Sequence, residues 1–389
     1  MPLAPELDAI TVAALREVGS VKWTAYPGKL GAYIAEMDYG TAPAVRQALH
    51  TTIDTGRLGY LPLRLVERMA EAYARWSAER YGWSVAPERV RPLADVLAGM
   101  AAVIEHFSRP GSPVVVPTPA YMPFLTLPGT LGREVIQLPM LEADGRHVYD
   151  LDALDGAFAR GAGLLVLCNP HNPVGRVLER AELEAVSQVV DRHGARVFVD
   201  EIHAPLVYPG HAHVPYASVS DAAARHSVTA TSAAKAWNIP GLKCAQLVLS
   251  NDEDAQTWAE VGTFAEHGAS TPGVIASTAA YAAGGPWLDE VIQYLDGNRT
   301  LLADLLADTL PGVGYRMPEG TYLAWLDCRR LDLGGAPGEF FLREADIATV
   351  EGTSCGTAGE GFVRLNFAMP RPVLEQAVSQ MAAAVARCR

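Results

Sequence analysis

The chain has 389 residues, 49% of them hydrophobic and 19% charged, a balance that suits a large buried core spread over two or three domains. Its 31 basic and 44 acidic side chains leave a formal net charge of −13, which argues against a general binder of nucleic acid or of anionic membranes. The acidic, amphipathic opening lacks the basic and apolar segments of a secretory signal, and no stretch nears the roughly 18 uninterrupted apolar residues of a membrane span.

Five cysteines, Cys168, Cys244, Cys328, Cys355 and Cys388, are scattered and form no C-x-x-C pair. That pattern predicts a reducing, cytoplasmic setting and neither a disulfide framework nor a zinc site. The histidines show no H-E-x-x-H spacing, so metal chemistry is not expected.

In chain order, "RPLADVLAGMAAVIEHF" (91–107) predicts a helix that starts near Asp95. "SPVVVPTP" (112–119) and "GLLVLCNP" (163–170) read as buried strands. "RAELEAVSQVVDRHG" (180–194) has helical apolar spacing at Leu183, Val186, Val189 and Val190 and a glycine stop. "ARVFVDE" (195–201), "SVTATS" (227–232) and "AQLVLSN" (245–251) follow as strands. Strands that alternate with helices and are apolar throughout predict a mainly parallel sheet covered on both faces. Beyond about residue 285 the pattern changes to a long helix (287–312), strands at 321–327 and 361–368, and a closing helix from about Pro372. The expected organisation is a large α/β domain over 46–285 and a smaller α+β domain built from 1–45 with 286–389.

Ligands of parallel α/β sheets bind beyond the carboxyl ends of the strands, so polar residues there carry the most functional weight. Asn169 and Asn172 follow one strand in "CNPHNPVGRV" (168–177); a turn explains Pro173 and Gly175 but not the polar cluster. Asp200 ends another strand, with Glu201 and His203 behind it. It could cap the next segment, or, if buried, pair with a cation such as a protonated heteroaromatic nitrogen. Lys235 stands among Ala233, Ala234, Ala236 and Trp237. A surface lysine is the ordinary alternative, but a desolvated amine is a nucleophile suited to a Schiff base. Ser232 and Lys243 suit an anion such as phosphate, as do the Val96 and Leu97 amides, unless Asp95 caps them itself.

Asn172, Asp200, Ser232, Lys235 and Lys243 occur in the order and spacing of pyridoxal-phosphate enzymes of fold type I. The chain most resembles the MalY/PatB-type cystathionine β-lyases, a C–S lyase branch of the class I/II aminotransferases. "YIAEMDY" (33–39), "TPAYMPF" (118–124), "CNPHNPVGRV", "VDEIHAPLVYPG" (199–210), "SAAKAWNIPGLKCA" (232–245), "GTYLAWLDCR" (320–329) and "GFVRLNFAMPR" (361–371) carry the resemblance across nearly the whole chain.

The resemblance implies pyridoxal 5′-phosphate as cofactor and Lys235 as its Schiff-base lysine and proton shuttle. It makes Asp200 the partner of the pyridine nitrogen, Asn172 the donor to the ring 3-oxygen, His203 a second neighbour of that oxygen, and Tyr121 the stacked aromatic. Ser232, Lys243 and the Val96–Leu97 amides match the phosphate cup. Tyr60 matches a tyrosine that reaches the phosphate from the other subunit, implying a homodimer. Arg364 matches the clamp on the substrate α-carboxylate. The implied activity is β-elimination from an S-substituted L-cysteine. An aminotransferase, an antibiotic-pathway relative that couples decarboxylation to deamination, and a regulatory protein acting by protein contacts are the alternatives.

Three positions depart from the family wording: Tyr33 for the usual tryptophan, Ala234 for a frequent serine, and Cys355 for a phenylalanine. Tyr33 and Cys355 are expected to shape the substrate pocket, the smaller Cys355 making room for an S-substituent bulkier than that of cystathionine.

Overall fold

In the computed structural model, which describes residues 3–388, seven strands form the main sheet. They are β1 (Val90–Leu93), β2 (Val114–Thr118), β3 (Val135–Pro139), β4 (Leu164–Cys168), β5 (Arg196–Asp200), β6 (Ser227–Thr231) and β7 (Ala245–Leu249). They lie in the order β1–β7–β6–β5–β4–β2–β3, and only the two pairings of β7 are antiparallel.

Helices flank the sheet: α1 (Leu63–Tyr81), α2 (Val96–His106), α3 (Arg180–Arg192) and α4 (Thr271–Ala283). The alternation along each strand explains why the strands are apolar throughout. Val115, Leu165, Leu167, Val197 and Val199 pack on one face with Leu183, Val186 and Val190 of α3. Val114, Val116, Val166, Phe198 and Val228 pack on the other with Met100 and Val103 of α2. Each such side chain contributes about 1.5–3 kcal/mol by leaving water. A capping box of Glu179 and Glu182 opens α3, and Gly194, at φ 56°, ends it as its sequence predicts.

The second sheet is antiparallel and contains β8 (Gly314–Tyr315), β9 (Leu323–Asp327), β10 (Val350–Glu351) and β11 (Phe362–Asn366), in the order β8–β9–β11–β10. The long helix α5 (Gly285–Thr309) and the closing helix α6 (Arg371–Arg387) share its apolar core through Leu302, Leu306, Leu374 and Val378. The opening residues join this sheet's end of the molecule. Leu30–Gly31 pairs in parallel with Ile347–Ala348, and Asn366 N donates to Ala32 O at 2.8 Å. The buried Lys22 ammonium meets Asp38 at 2.8 Å, and Trp23 Nε1 donates to the same carboxylate.

Candidate active site

A cavity of about 210 Å³ opens where β4, β5 and β6 end. Cys168, Asp200 and Ala230 are register partners across these strands, so the segments that follow them emerge side by side. Because β7 runs antiparallel, Lys243, two residues before its start, arrives at the same edge. The lining brings together Val96, Leu97, Tyr121, Asn172, Asp200, His203, Ser232, Lys235 and Lys243.

Lys235 is no surface lysine. Its Nζ donates to Ala35 O at 2.7 Å, with Ala233, Ala236 and Trp237 buried around its backbone. Burial first, then the Arg364 charge, pulls the amine down to about 8 against the opposing pull of Asp200 and Glu36. Asp200 is fully buried. Burial pushes its carboxyl up to about 7, although Ile202 N–H donates to Oδ1 at 2.9 Å and Lys235 also favours the anion. His203 is held neutral, its pKa at about 3, by burial and by the charges of Lys235 and Arg364. Its Nδ1 is buried without a hydrogen-bond partner among the described residues. Tyr121 meets Phe124 edge-on at 5.3 Å, and burial raises its phenol pKa.

Asp95 caps α2 without occupying the amides of Val96 and Leu97. Oδ1 accepts Ala98 N–H at 3.0 Å, the third amide of α2, while Oδ2 meets Lys243 Nζ at 3.0 Å. The first two amides, of Val96 and Leu97, have no intrahelical acceptor and line the cavity. Lys243 adopts a left-handed φ of 51°.

Arg364 is buried, not outward-facing. Its Nη1 donates to Asn172 Oδ1 at 3.0 Å and its Nη2 to Tyr33 O at 2.7 Å, so it adjoins the cavity without lining it. The Asn172 side-chain N–H groups make no hydrogen bond among the described residues.

Ser232 lines the cavity, and its hydroxyl donates to Cys244 O at 2.6 Å and accepts Ala234 N–H. Two expectations are corrected. Cys355 opens no space. It is fully buried in a cluster with Trp325 and Val350, on which Tyr33, Met122, Val174 and Phe362 pack, and neighbours have filled the volume a larger side chain would occupy. Tyr33 does not line the cavity either; its hydroxyl donates to Val21 O at 2.7 Å, and its ring meets Tyr26 edge-on at 5.1 Å. Tyr60 is fully exposed and lies outside the cavity, in a surface groove with Leu58, Leu63 and Thr271.

Two contributors escaped the sequence. Ala35 acts only through its carbonyl, which no residue type signals. Tyr322 lies within "GTYLAWLDCR"; it meets His203 edge-on at 5.9 Å.

A buried amine near neutrality can attack an aldehyde, a buried carboxylate can hold a protonated ring nitrogen, and free helix amides beside a lysine can hold a phosphate. Together, at the carboxyl edge of a mainly parallel sheet, these groups define an enzyme that anchors a phosphorylated heteroaromatic aldehyde on lysine. The chain belongs to the aminotransferase class I and II family, whose profile matches residues 29–381. It is 38% identical over 382 residues to a cystathionine beta-lyase of Corynebacterium glutamicum, covering 97% of this chain and 98% of that protein. It is 33% identical over 375 residues to the cystathionine beta-lyase PatB of Bacillus subtilis, covering 94% and 96%. Among solved structures, the PLP-bound C–S lyase of Staphylococcus hominis superposes with a TM-score of 0.87 at 27% identity, over 95% of this chain and 96% of that one.

Proposed function

We propose that this chain is a pyridoxal 5′-phosphate enzyme that cleaves the C–S bond of an S-substituted L-cysteine of the cystathionine type to thiol, pyruvate and ammonia. One observation carries it: the half-buried Lys235 and the buried Asp200, both displaced toward neutrality, share one cavity in a chain similar to cystathionine beta-lyases along nearly its full length.

The residues present fit the cofactor. Asp200 is a buried carboxylate with no cation other than Lys235 among the causes of its shift, and a ring N–H would supply one. The uncommitted Asn172 amide and the unpartnered His203 suit the ring oxygen, and Val96, Leu97 and Lys243 suit the phosphate. When bound, the cofactor supplies an electron sink for the pair left behind by the substrate α-proton.

The chain's own groups do the rest. Arg364, once turned from Tyr33 O, holds the α-carboxylate through paired N–H bonds. Lys235 Nζ takes the α-proton, and its pKa of about 8 lets it give that proton up again near neutral pH, where the departing thiolate needs one. With the cofactor bound, Asp200 would keep the ring nitrogen protonated, and Tyr121, which lines the same cavity, would help exclude water.

A homodimer belongs to this reading. Tyr60, Leu58, Leu63 and Phe264 are apolar and exposed, and the groove of about 870 Å³ beside Tyr60 would be covered by a second copy. A reducing, cytoplasmic setting fits cysteines that are all unpaired, and no helix among the described residues is long and apolar enough to cross a membrane.

Purified protein given cystathionine without a keto acid should release thiol, pyruvate and ammonia steadily. Lys235→Ala should abolish both this and the borohydride-sensitive visible absorbance of the bound cofactor. Turnover that requires a keto-acid acceptor would sink the lyase reading.

A further inference from the structure

Two donors of the site converge on one main-chain oxygen. Ala35 O accepts from Lys235 Nζ at 2.7 Å and from the Tyr322 hydroxyl at 3.0 Å. The peptide units around it are pinned. Asn366 Nδ2 donates to Ile34 O and Glu36 O, each at 2.7 Å, Lys22 Nζ donates to Glu36 O at 3.1 Å, and Asn238 Oδ1 accepts Met37 N–H at 2.9 Å.

Tyr322 is as tightly placed. It is fully buried and follows Thr321, a buried β-branched residue at φ 68°, a conformation such residues rarely adopt. Thr321 is kept there by its N–H on Leu206 O at 2.8 Å and by the Tyr208 hydroxyl on its carbonyl at 2.6 Å. Strain of this kind persists where surrounding structure over-determines it, and here it delivers the Tyr322 hydroxyl to the acceptor that Lys235 uses.

We propose that the Ala35 carbonyl is the docking point of the free Lys235 amine, and that Tyr322 is a positioning residue that sets how tightly the amine is held. This rests on the lyase reading for its catalytic meaning, because the lysine is released once the substrate has taken its place. An amine that gives one N–H to a pinned carbonyl keeps its nitrogen in one place, ready for the substrate α-proton. A carbonyl oxygen accepts two hydrogen bonds, and the Tyr322 hydroxyl draws on the same electron density that holds the ammonium. The other groups that act on Lys235 are Arg364 against its charge and Asp200 and Glu36 in favour of it, with neutral His203 nearby. None of these changes when only the hydroxyl is removed.

Tyr322→Phe keeps the ring and its packing on His203, which an unchanged melting temperature verifies. In the cofactor-free protein, trace labelling of Lys235 by acetic anhydride across pH, read by peptide mass spectrometry, gives the amine's midpoint. Tyr322→Phe should raise that midpoint by about half a pH unit, since one neutral hydrogen bond to the shared acceptor is lost. In the loaded enzyme the acid limb of kcat should move up with it, while KM stays within about twofold. Tyr39→Phe, which deletes a buried hydroxyl bonded to Met369 O, should leave the midpoint in place. An unmoved midpoint in Tyr322→Phe, or an equal shift in Tyr39→Phe, overturns the proposal. Labelling needs neither cofactor nor substrate, so its outcome is independent of thiol release.

Discussion

Asp200, at about 7, titrates well above the roughly 3.9 of an unfolded aspartate, so between about pH 4 and 7 the folded chain binds the extra proton. Stability of the cofactor-free protein therefore falls as pH rises through that window. Lys235, at about 8, titrates below an unfolded lysine, so from about pH 8 to 10.4 the unfolded chain binds the extra proton and stability rises with pH. At pH 8 the empty site thus holds a carboxylate that opposes folding. Asp200→Asn keeps an acceptor for Ile202 N–H and removes that charge. Without cofactor it should melt above the parent at pH 8, by at most about 4 kcal/mol, less what Lys235 loses as its partner. With saturating pyridoxal phosphate the order should reverse, because only the carboxylate pairs with a protonated ring nitrogen. Melting curves with and without cofactor decide this; an unchanged order sinks the pairing.

The loops between strands show why the site depends on both sheets. The loop that carries Asn172 is clamped from the second sheet's side: Glu319 N and Gly320 N donate to Gly175 O, and Glu319 Oε2 accepts Val177 N–H at 2.9 Å. Gly175 has φ 70°, and a Cβ there would lie 2.3 Å from Pro318 Cβ. Gly175→Ala should cost about 2–4 kcal/mol in urea denaturation, from backbone strain together with overpacking. Because Asn172 rides on this loop, cofactor affinity should fall as well. The loop after β5 is tied to the same segment, with Val207 bridging Gly320 and Tyr208 N donating to Glu319 O at 3.0 Å. Full cofactor affinity in Gly175→Ala would show that the loop closes without that contact.

For the molecule as a whole, the exposed face around Tyr60 and Leu63 is the feature one chain leaves unexplained. If a second copy covers it, Tyr60→Asp with Leu63→Asp should give monomers in sedimentation equilibrium, with cofactor affinity reduced by at least about tenfold. A double variant that stays dimeric would remove Tyr60 from the interface. The N-terminal segment is a second whole-molecule device. It starts against α5, where Leu3 N–H meets Glu290 Oε2 at 3.0 Å, is fastened by Lys22 and Asp38, and presents Ala35 to a lysine in the turn after β6, 200 residues away in sequence.

The sequence by itself determined five of the seven main-sheet strands, because a sheet buried on both faces needs uninterrupted apolar runs such as "SPVVVPTP"; Val90–Leu93 and Val135–Pro139, at the sheet's two edges, escaped it. It also determined the chemistry at their ends, because Asn172, Asp200 and Lys235 are polar residues stationed where those runs stop. The helix stop at Gly194 was legible for the same local reason, the left-handed turn that follows α3. Tertiary structure alone decided that β7 runs antiparallel and so returns Lys243 to the cavity edge. It alone showed that Ser232 serves its own turn, that packing fills the space beside Cys355, and that the carbonyl of Ala35 receives Lys235. Those outcomes depend on which backbone groups and volumes meet across long stretches of chain, and residue type carries no record of either.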